Sequence, residues 1–131
     1  MNIYDYAHAL VKAIKASPEY KKFKIVQDKL QDDSSAKKML ADLRKTQWDL
    51  QKQKLSGLEV APEQEEQLSR LLEVINLNLI VKEYLEAEYR FSILLTDIQK
   101  IIGEAMQDII SPEIWGREAD GKEQENPAEN S

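Results

Sequence analysis

The feature that most constrains this chain is a long, mostly apolar repeat in its second half. From Leu77 to Ile109 mostly apolar residues recur at alternating spacings of four and three, and Glu88 is the only charged member of this series. This spacing keeps side chains on one face of an α-helix. It predicts a helix from about Leu79 to Ile110, roughly 48 Å long at 1.5 Å per residue, which ends at Ser111 and Pro112.

Helical signals also run through the first half of the chain. Asn2 is placed to cap a short amphipathic helix, and Ser17 with Pro18 restarts the pattern as an N-cap and a first helical residue. A second four-three series follows at positions 36, 40, 43, 47, 50 and 54, and Pro62 opens a further helix. Asn76 to Asn78 predict a kink or break before the long repeat.

Only 4 Gly and 4 Pro in 131 residues fit a helical chain. We predict an all-α fold: an elongated helical hairpin or bundle with two long antiparallel helices and short N-terminal helices. We predict that residues 1–115 form a single helical domain. Residues 116–131 contain no large apolar side chain, so we predict that they form a disordered acidic tail.

The length of the predicted helix indicates self-association. A compact domain of this size would be only about 35 Å across, so part of the apolar stripe would extend past the other helices. We therefore predict a homo-oligomer, most simply a two-fold dimer. A charge at Glu88 either reaches the edge of that interface or pairs with a base across it. The predicted interface residues are Tyr84, Glu88, Phe91, Leu95, Ile98 and Ile102.

The formal charge of −6 is unevenly distributed. Residues 1–56 carry 12 Lys and Arg against 7 Asp and Glu, whereas residues 57–131 carry 6 against 17. Either the two halves pack on each other, within one chain or between copies, or the basic half binds an anionic partner such as RNA. The first is favoured because no aromatic or Arg cluster accompanies the lysines. The candidate anionic-partner contacts are Lys21, Lys22, Lys24, Lys29, Lys37 and Lys38.

Catalytic and cofactor sites are not expected. The absence of Cys and the single His8 exclude thiolate zinc sites, cysteine-held iron–sulfur clusters and histidine-based triads within one chain. The carboxylates Glu83, Glu86 and Glu88 are an alternative acid–base site. However, Glu86 lies four residues from both Lys82 and Arg90, which is typical of ion pairs on an exposed helix. We predict no catalytic residue, metal or cofactor.

The chain has no apolar run of the roughly 18 to 20 residues that cross a bilayer, and its start lacks the features of a secretory signal. We therefore expect a cytoplasmic protein without membrane contact.

Five segments of the chain form a recognisable set: Asn2–Asp5, Ser17–Lys21, Ala41–Gln47, Lys82–Ser92 and Asp97–Ile102. Together they resemble the YlbF/YmcA family of small helical bacterial proteins, specifically its YheA-like branch. The resemblance covers about residues 1–110. It implies an all-helical, oligomeric, cytoplasmic protein of Gram-positive bacteria without enzymatic activity, a regulatory partner affecting competence, sporulation, biofilm formation and RNA processing. Some relatives carry cysteines associated with iron–sulfur binding, which this chain lacks.

The predicted function is therefore that of a non-enzymatic helical interaction and regulatory protein with a protein partner. The alternative is an RNA-binding accessory of an RNA-processing machinery that uses the basic N-terminal half.

Overall fold

A computed structural model describes residues 1–109 of the chain. These residues form five α-helices and no strand, which confirms the predicted all-α class. The predicted acidic tail, 116–131, lies outside the described residues. The helices are α1 (Ile3–Lys15), α2 (Pro18–Gln31), α3 (Ser34–Leu55), α4 (Pro62–Asn76) and α5 (Leu79–Ala105).

The first two helices begin at the residues that the sequence indicates. The backbone N–H of Asp5 donates to the Asn2 side chain, and the backbone N–H of Asn2 donates to the Asp5 carboxylate, each over 3.0 Å. This reciprocal capping box fixes the start of α1. Ser17 accepts from the N–H of Tyr20 over 3.2 Å, and Pro18 takes the first helical position of α2. Both predicted start signals are confirmed.

Helices α3 and α4 form an antiparallel hairpin. Gly57 has φ +80°, the left-handed region that favours glycine. The N–H of Leu58 donates to the carbonyl of Gln53 over 3.0 Å, and that of Gly57 to the carbonyl of Lys54 over 3.1 Å. This is a Schellman motif, which satisfies the last carbonyls of α3. Across the hairpin the side-chain amides of Gln53 and Gln64 exchange two hydrogen bonds of 2.9 Å.

The predicted interruption before the long repeat is a break between helices. Leu77 and Asn78 separate α4 from α5, and the Asn78 side chain accepts from the N–H of Val81 over 3.0 Å. Helix α5 then ends at Ala105 rather than near Ile110. Gly103 lies in its last turn, and Gly disfavours a helix by about 1 kcal/mol relative to Ala. At 27 residues the helix is about 40 Å long.

By its contacts the chain divides into two compact units, one of residues 1–92 and one that begins at Ile93. In the first unit α3 is antiparallel to α4, and side-chain contacts place α2 antiparallel to residues 79–92 of α5. Each long helix therefore has a shorter helix as its antiparallel neighbour, which differs from the predicted pairing of the two long helices. The short link between α3 and α4 makes these consecutive helices turn back on each other, whereas α2 and α5 are distant in the chain and are paired by side-chain packing.

The hydrophobic core of the first unit lies between α2, α3, α4 and the start of α5. Four of the six positions in the predicted α3 series are buried, whereas Gln47 and Lys54 are exposed. Val81 is fully enclosed, which anchors the start of α5. The core cluster consists of Leu30, Ala36, Leu40, Leu43, Ile75 and Val81.

Candidate interaction surfaces

Tyr84 and Phe91, two of the predicted interface residues, pack against α2 of their own chain. The ring of Phe23 lies 5.3 Å from that of Tyr84 and 5.6 Å from that of Phe91, centroid to centroid. Tyr20 meets Phe91 edge-on at 5.8 Å. These separations are those of favourable aromatic pairs. The four half-buried rings, called here the aromatic cluster, hold α5 to α2, and an additional role of Tyr84 and Phe91 between copies stays a prediction.

Glu88 pairs with a base of its own chain, and a contact across an interface stays a prediction. The Arg44 guanidinium on α3 donates from Nη2 to Glu88 Oε1, and the two side chains are 47% and 35% exposed. Burial raises the pKa of the neighbouring Tyr84 hydroxyl, and the negative charge of Glu88 raises it further, while Arg44 acts in the opposite direction. This pair therefore joins α3 to α5 at the edge of the aromatic cluster.

The other predicted interface residues, Leu95, Ile98 and Ile102, belong to the second unit. Leu95 and Ile98 are half-buried, whereas Ile102 is 51% and its neighbour Ile101 is 66% exposed. At 100° per residue these four side chains fall within an arc of about 120° on one side of α5. We call them the α5 apolar surface.

The six candidate lysines divide into two groups. Lys22 Nζ lies 3.7 Å from a Glu83 carboxylate oxygen, and Lys38 Nζ lies 3.5 Å from Asp42. The others are exposed and, among residues 1–109, have no acidic group within 4 Å; they are Lys21, Lys24, Lys29 and Lys37. The basic half is therefore partly neutralised by acids of the same chain.

The carboxylate group of α5 is also engaged in ion pairs. Glu83 faces Lys22, Glu88 faces Arg44, and Glu86 accepts from Arg90 Nη2 over 3.1 Å, as its four-residue spacing predicted. The depression beside them measures about 150 Å³, below the roughly 300 to 1,000 Å³ of small-molecule sites.

Within residues 1–109 no three His, Cys, Asp or Glu side chains are grouped so that they could hold a metal ion. His8 is exposed on α1.

Helix α1 is the short amphipathic helix that the sequence predicts, but the exposure of its apolar face was not predicted. None of its residues is buried. Ile3 is 75%, Tyr6 62%, Leu10 38% and Val11 48% exposed, and we call these four side chains the α1 apolar face. The signal that could have identified it is the strong segregation of apolar and polar residues in so short a helix.

A groove between α3 and α4 is the second feature that the sequence did not reveal. It has a volume of about 280 Å³ and is called here the α3–α4 groove. No sequence signal marks it, because it depends on a packing gap between two helices. Its apolar lining is Leu50, Val60, Leu68 and Leu72, and its exposed polar lining is Lys54, Glu65 and Ser69.

Comparison with known proteins identifies the family of this chain. Residues 3–107 match the family described as "Control of competence regulator ComK, YlbF/YmcA". This chain belongs to the YlbF/YmcA family. A UPF0342 protein of Symbiobacterium thermophilum is 44% identical over 104 residues, which cover 79% of this chain and 93% of the relative. A UPF0342 protein of Halothermothrix orenii is 42% identical over 102 residues, covering 78% and 86%.

Solved structures share the fold of this YlbF/YmcA member. A DUF964 protein from Bacillus stearothermophilus superimposes with a TM-score of 0.69 at 22% identity, over 82% of this chain and 94% of that one. The structure of yheA from Bacillus subtilis gives 0.59 at 24% identity, over 84% and 100%. The family match and the UPF0342 relatives confirm the predicted YlbF/YmcA family, and yheA shares its fold. None of the described helices is long and apolar enough to span a bilayer.

Proposed function

We propose that this YlbF/YmcA family member is a non-enzymatic regulatory protein of the cytoplasm that acts by binding other polypeptides. Its first partner is a second copy of itself, and the dimer then docks a protein partner. The family description, which names control of a competence regulator, supports a regulatory role. The observation that carries the proposal is the α5 apolar surface.

Single exposed apolar side chains are ordinary on soluble proteins, but a contiguous group along one helix marks an interaction site. Ile101 and Ile102 expose more than half of their surface, and Leu95 and Ile98 extend the same side of α5 by one to two turns. Asp97 and Lys100, the charges within this span, have opposite signs. Two copies therefore approach here without strong like-charge repulsion, which favours a second copy as the occupant.

Tyr84, Glu88 and Phe91 have an indirect role in this proposal. Their contacts with α2 and α3 hold the first part of α5 in place. In the proposed dimer they support the helix that carries the interface, and Leu95, Ile98 and Ile102 make the contact itself.

Ion pairing also supports a role without catalysis. Each of Glu83, Glu86 and Glu88 lies against a base of the same chain. The depression beside Glu83 and Glu86 measures only about 150 Å³, below the size of typical small-molecule sites.

The rival is a direct RNA-binding accessory, and the lysine contacts favour it less. Lys22 and Lys38 are already paired with acids. A gel shift with labelled single-stranded RNA separates the two functions. Contact between proteins predicts no shift at low salt, whereas a shift that weakens steeply as salt rises would support the rival, because phosphate contacts release counterions.

The double variant Ile101→Asp/Ile102→Asp tests the self-association directly. We expect its mass by light scattering to fall to that of one chain while circular dichroism keeps the helical signal, since exposed side chains contribute little to folding. The matched control is Thr96→Asp/Gln99→Asp, which adds the same charge at exposed polar positions of the same helix. An unchanged mass in the first variant would contradict the proposed interface.

The protein partner is tested by co-purification from a Gram-positive host at gentle salt, with wild type and Ile101→Asp/Ile102→Asp as baits. We expect mass spectrometry to find proteins enriched by the wild type and lost with the variant. No enrichment over a tag-only bait would contradict the docking role.

A further inference from the structure

We infer that α1 is an interaction helix whose apolar face docks into the α3–α4 groove of a second copy of this chain. This inference extends the proposed self-association to a surface outside α5. It rests on the exposure of α1, on the shape of the groove and on the charges of both.

The apolar side chains of α1 are not covered by the rest of the first unit. It has 13 residues and no buried side chain, and only Ile14 is even half-buried. Isolated helices of about 12 to 15 residues or fewer are marginal in water. The capping box of Asn2 and Asp5 fixes where α1 starts, but tertiary packing supplies most helical stability. A partner surface is therefore the missing stabilising element.

The groove has the shape of a helix-docking site. Its volume of about 280 Å³ falls just below that of typical small-molecule pockets, about 300 to 1,000 Å³. Its lining is mostly apolar, with Leu50 buried, Leu68 half-buried and Leu72 43% exposed. An amphipathic helix fills such a groove with anchors at positions i, i+3 and i+7. In α1 these positions are Ile3, Tyr6 and Leu10.

Charge complementarity selects a second copy as the occupant. Lys15 lies four residues after Val11 and so borders the α1 apolar face, with Lys12 beyond it. On the groove side, Glu65 lines the opening and α4 carries Glu73 further along its exposed surface, while Glu66 lies 3.9 Å from Arg70 of the same helix.

The remaining charges of α1 and of the groove are also opposite in sign. Asp5 is the only acid of α1, and Lys54 is the only base that lines the groove. If each copy inserts its α1 into the other, the contact closes as a two-fold dimer.

Cysteine cross-linking tests this contact without background, because the chain has no Cys. Leu10→Cys with an affinity tag is mixed with untagged Ser69→Cys, and a short bismaleimide is added. We expect a tagged–untagged product of two chains at no less than five times the yield obtained when Lys24→Cys, an exposed site on α2, replaces Leu10→Cys. A yield equal to that control would overturn the inference.

Two further measurements decide the occupant and the role of charge. A single chain carrying both Leu10→Cys and Ser69→Cys, diluted tenfold, should lose its two-chain product, and a persistent intrachain product would overturn the assignment to a second copy. Lys12→Glu/Lys15→Glu should lower the two-chain yield at least fivefold, and added Glu65→Lys/Glu73→Lys should restore it. Failure of the restoration would overturn the charge argument.

The same cross-link separates this inference from the proposed function. If it survives in the Ile101→Asp/Ile102→Asp background, the α1 contact joins two chains without α5, which supports this inference and contradicts the proposed α5 interface. If it is absent while wild-type chains still associate through α5, the inference fails and the proposed function remains.

Discussion

Arg44 on α3 and Glu88 on α5, 44 residues apart in the chain, form a hydrogen-bonded ion pair beside the aromatic cluster. The pair joins the two longest helices at their exposed edge. Glu88 is the one charged residue of the long apolar series. Through Arg44, this residue connects α5 to the rest of the first unit.

The coupling free energy between the two side chains is expected to be small, because Arg44 is 47% and Glu88 is 35% exposed. In a double-mutant cycle of Arg44→Ala and Glu88→Ala, urea unfolding should give a coupling energy of about 0.2 to 1 kcal/mol. The exposed pair Lys45 and Asp49, four residues apart on α3, provides a comparison near 0.3 to 0.5 kcal/mol. A coupling above about 2 kcal/mol would show that the pair is far less solvated than its exposure indicates.

The aromatic cluster should matter more than the ion pair. Phe23→Ala removes two ring contacts, with Tyr84 and Phe91, and should lower the free energy of unfolding by about 2 to 4 kcal/mol. Tyr89→Ala, an aromatic residue of α5 that is 66% exposed, should change it by less than about 0.5 kcal/mol. Chemical denaturation followed by circular dichroism compares the two, and equal losses would contradict the packing of α5 on α2.

The Asn78 side chain should stabilise the start of α5 after the break. Asn78→Ala removes the hydrogen bond that Val81 N–H donates and should destabilise the fold by about 1 kcal/mol. Asn76→Ala, an exposed site in the last turn of α4, should be nearly neutral. Urea midpoints measure both, and the opposite order would show that α5 does not start at this cap.

Tyr84 should make stability depend on pH in the alkaline range. Its pKa is raised in the folded protein, first by burial and then by Glu88, so the folded state binds the hydroxyl proton more tightly than the unfolded chain does. The resulting stabilisation is complete below the unfolded pKa of about 10 and is lost as the pH rises through the folded pKa.

Urea unfolding of the wild type and of Tyr84→Phe between about pH 8 and 11 tests this dependence. The wild type should lose stability relative to the variant as the pH rises, because Phe has no proton to lose. A constant difference across this range would contradict the raised pKa.

Local features of the fold were predictable from sequence because they depend on neighbours in the chain. The caps at Asn2 and Ser17, the loop before Pro62 and the interruption at Asn78 all follow from residues within one helical turn. The buried positions Leu40 and Leu43 follow from helical spacing.

Contacts between helices were not predictable in the same way. Helical spacing shows that Tyr84 and Phe91 share an apolar face, but not that Phe23 of α2 covers that face. Helical spacing also does not show that Arg44 contacts Glu88, because each of these side chains could equally face solvent or another chain. The α3–α4 groove and the exposure of α1 depend on which surfaces remain after the helices have packed.

The mass of the wild-type protein in solution tests the central claim most directly, namely that apolar side chains left uncovered by the chain itself are covered by a second copy. Sedimentation equilibrium at micromolar concentration should give at least twice the 15.1 kDa of one chain. A stable, cooperatively folded species of 15.1 kDa across the whole concentration range would contradict it.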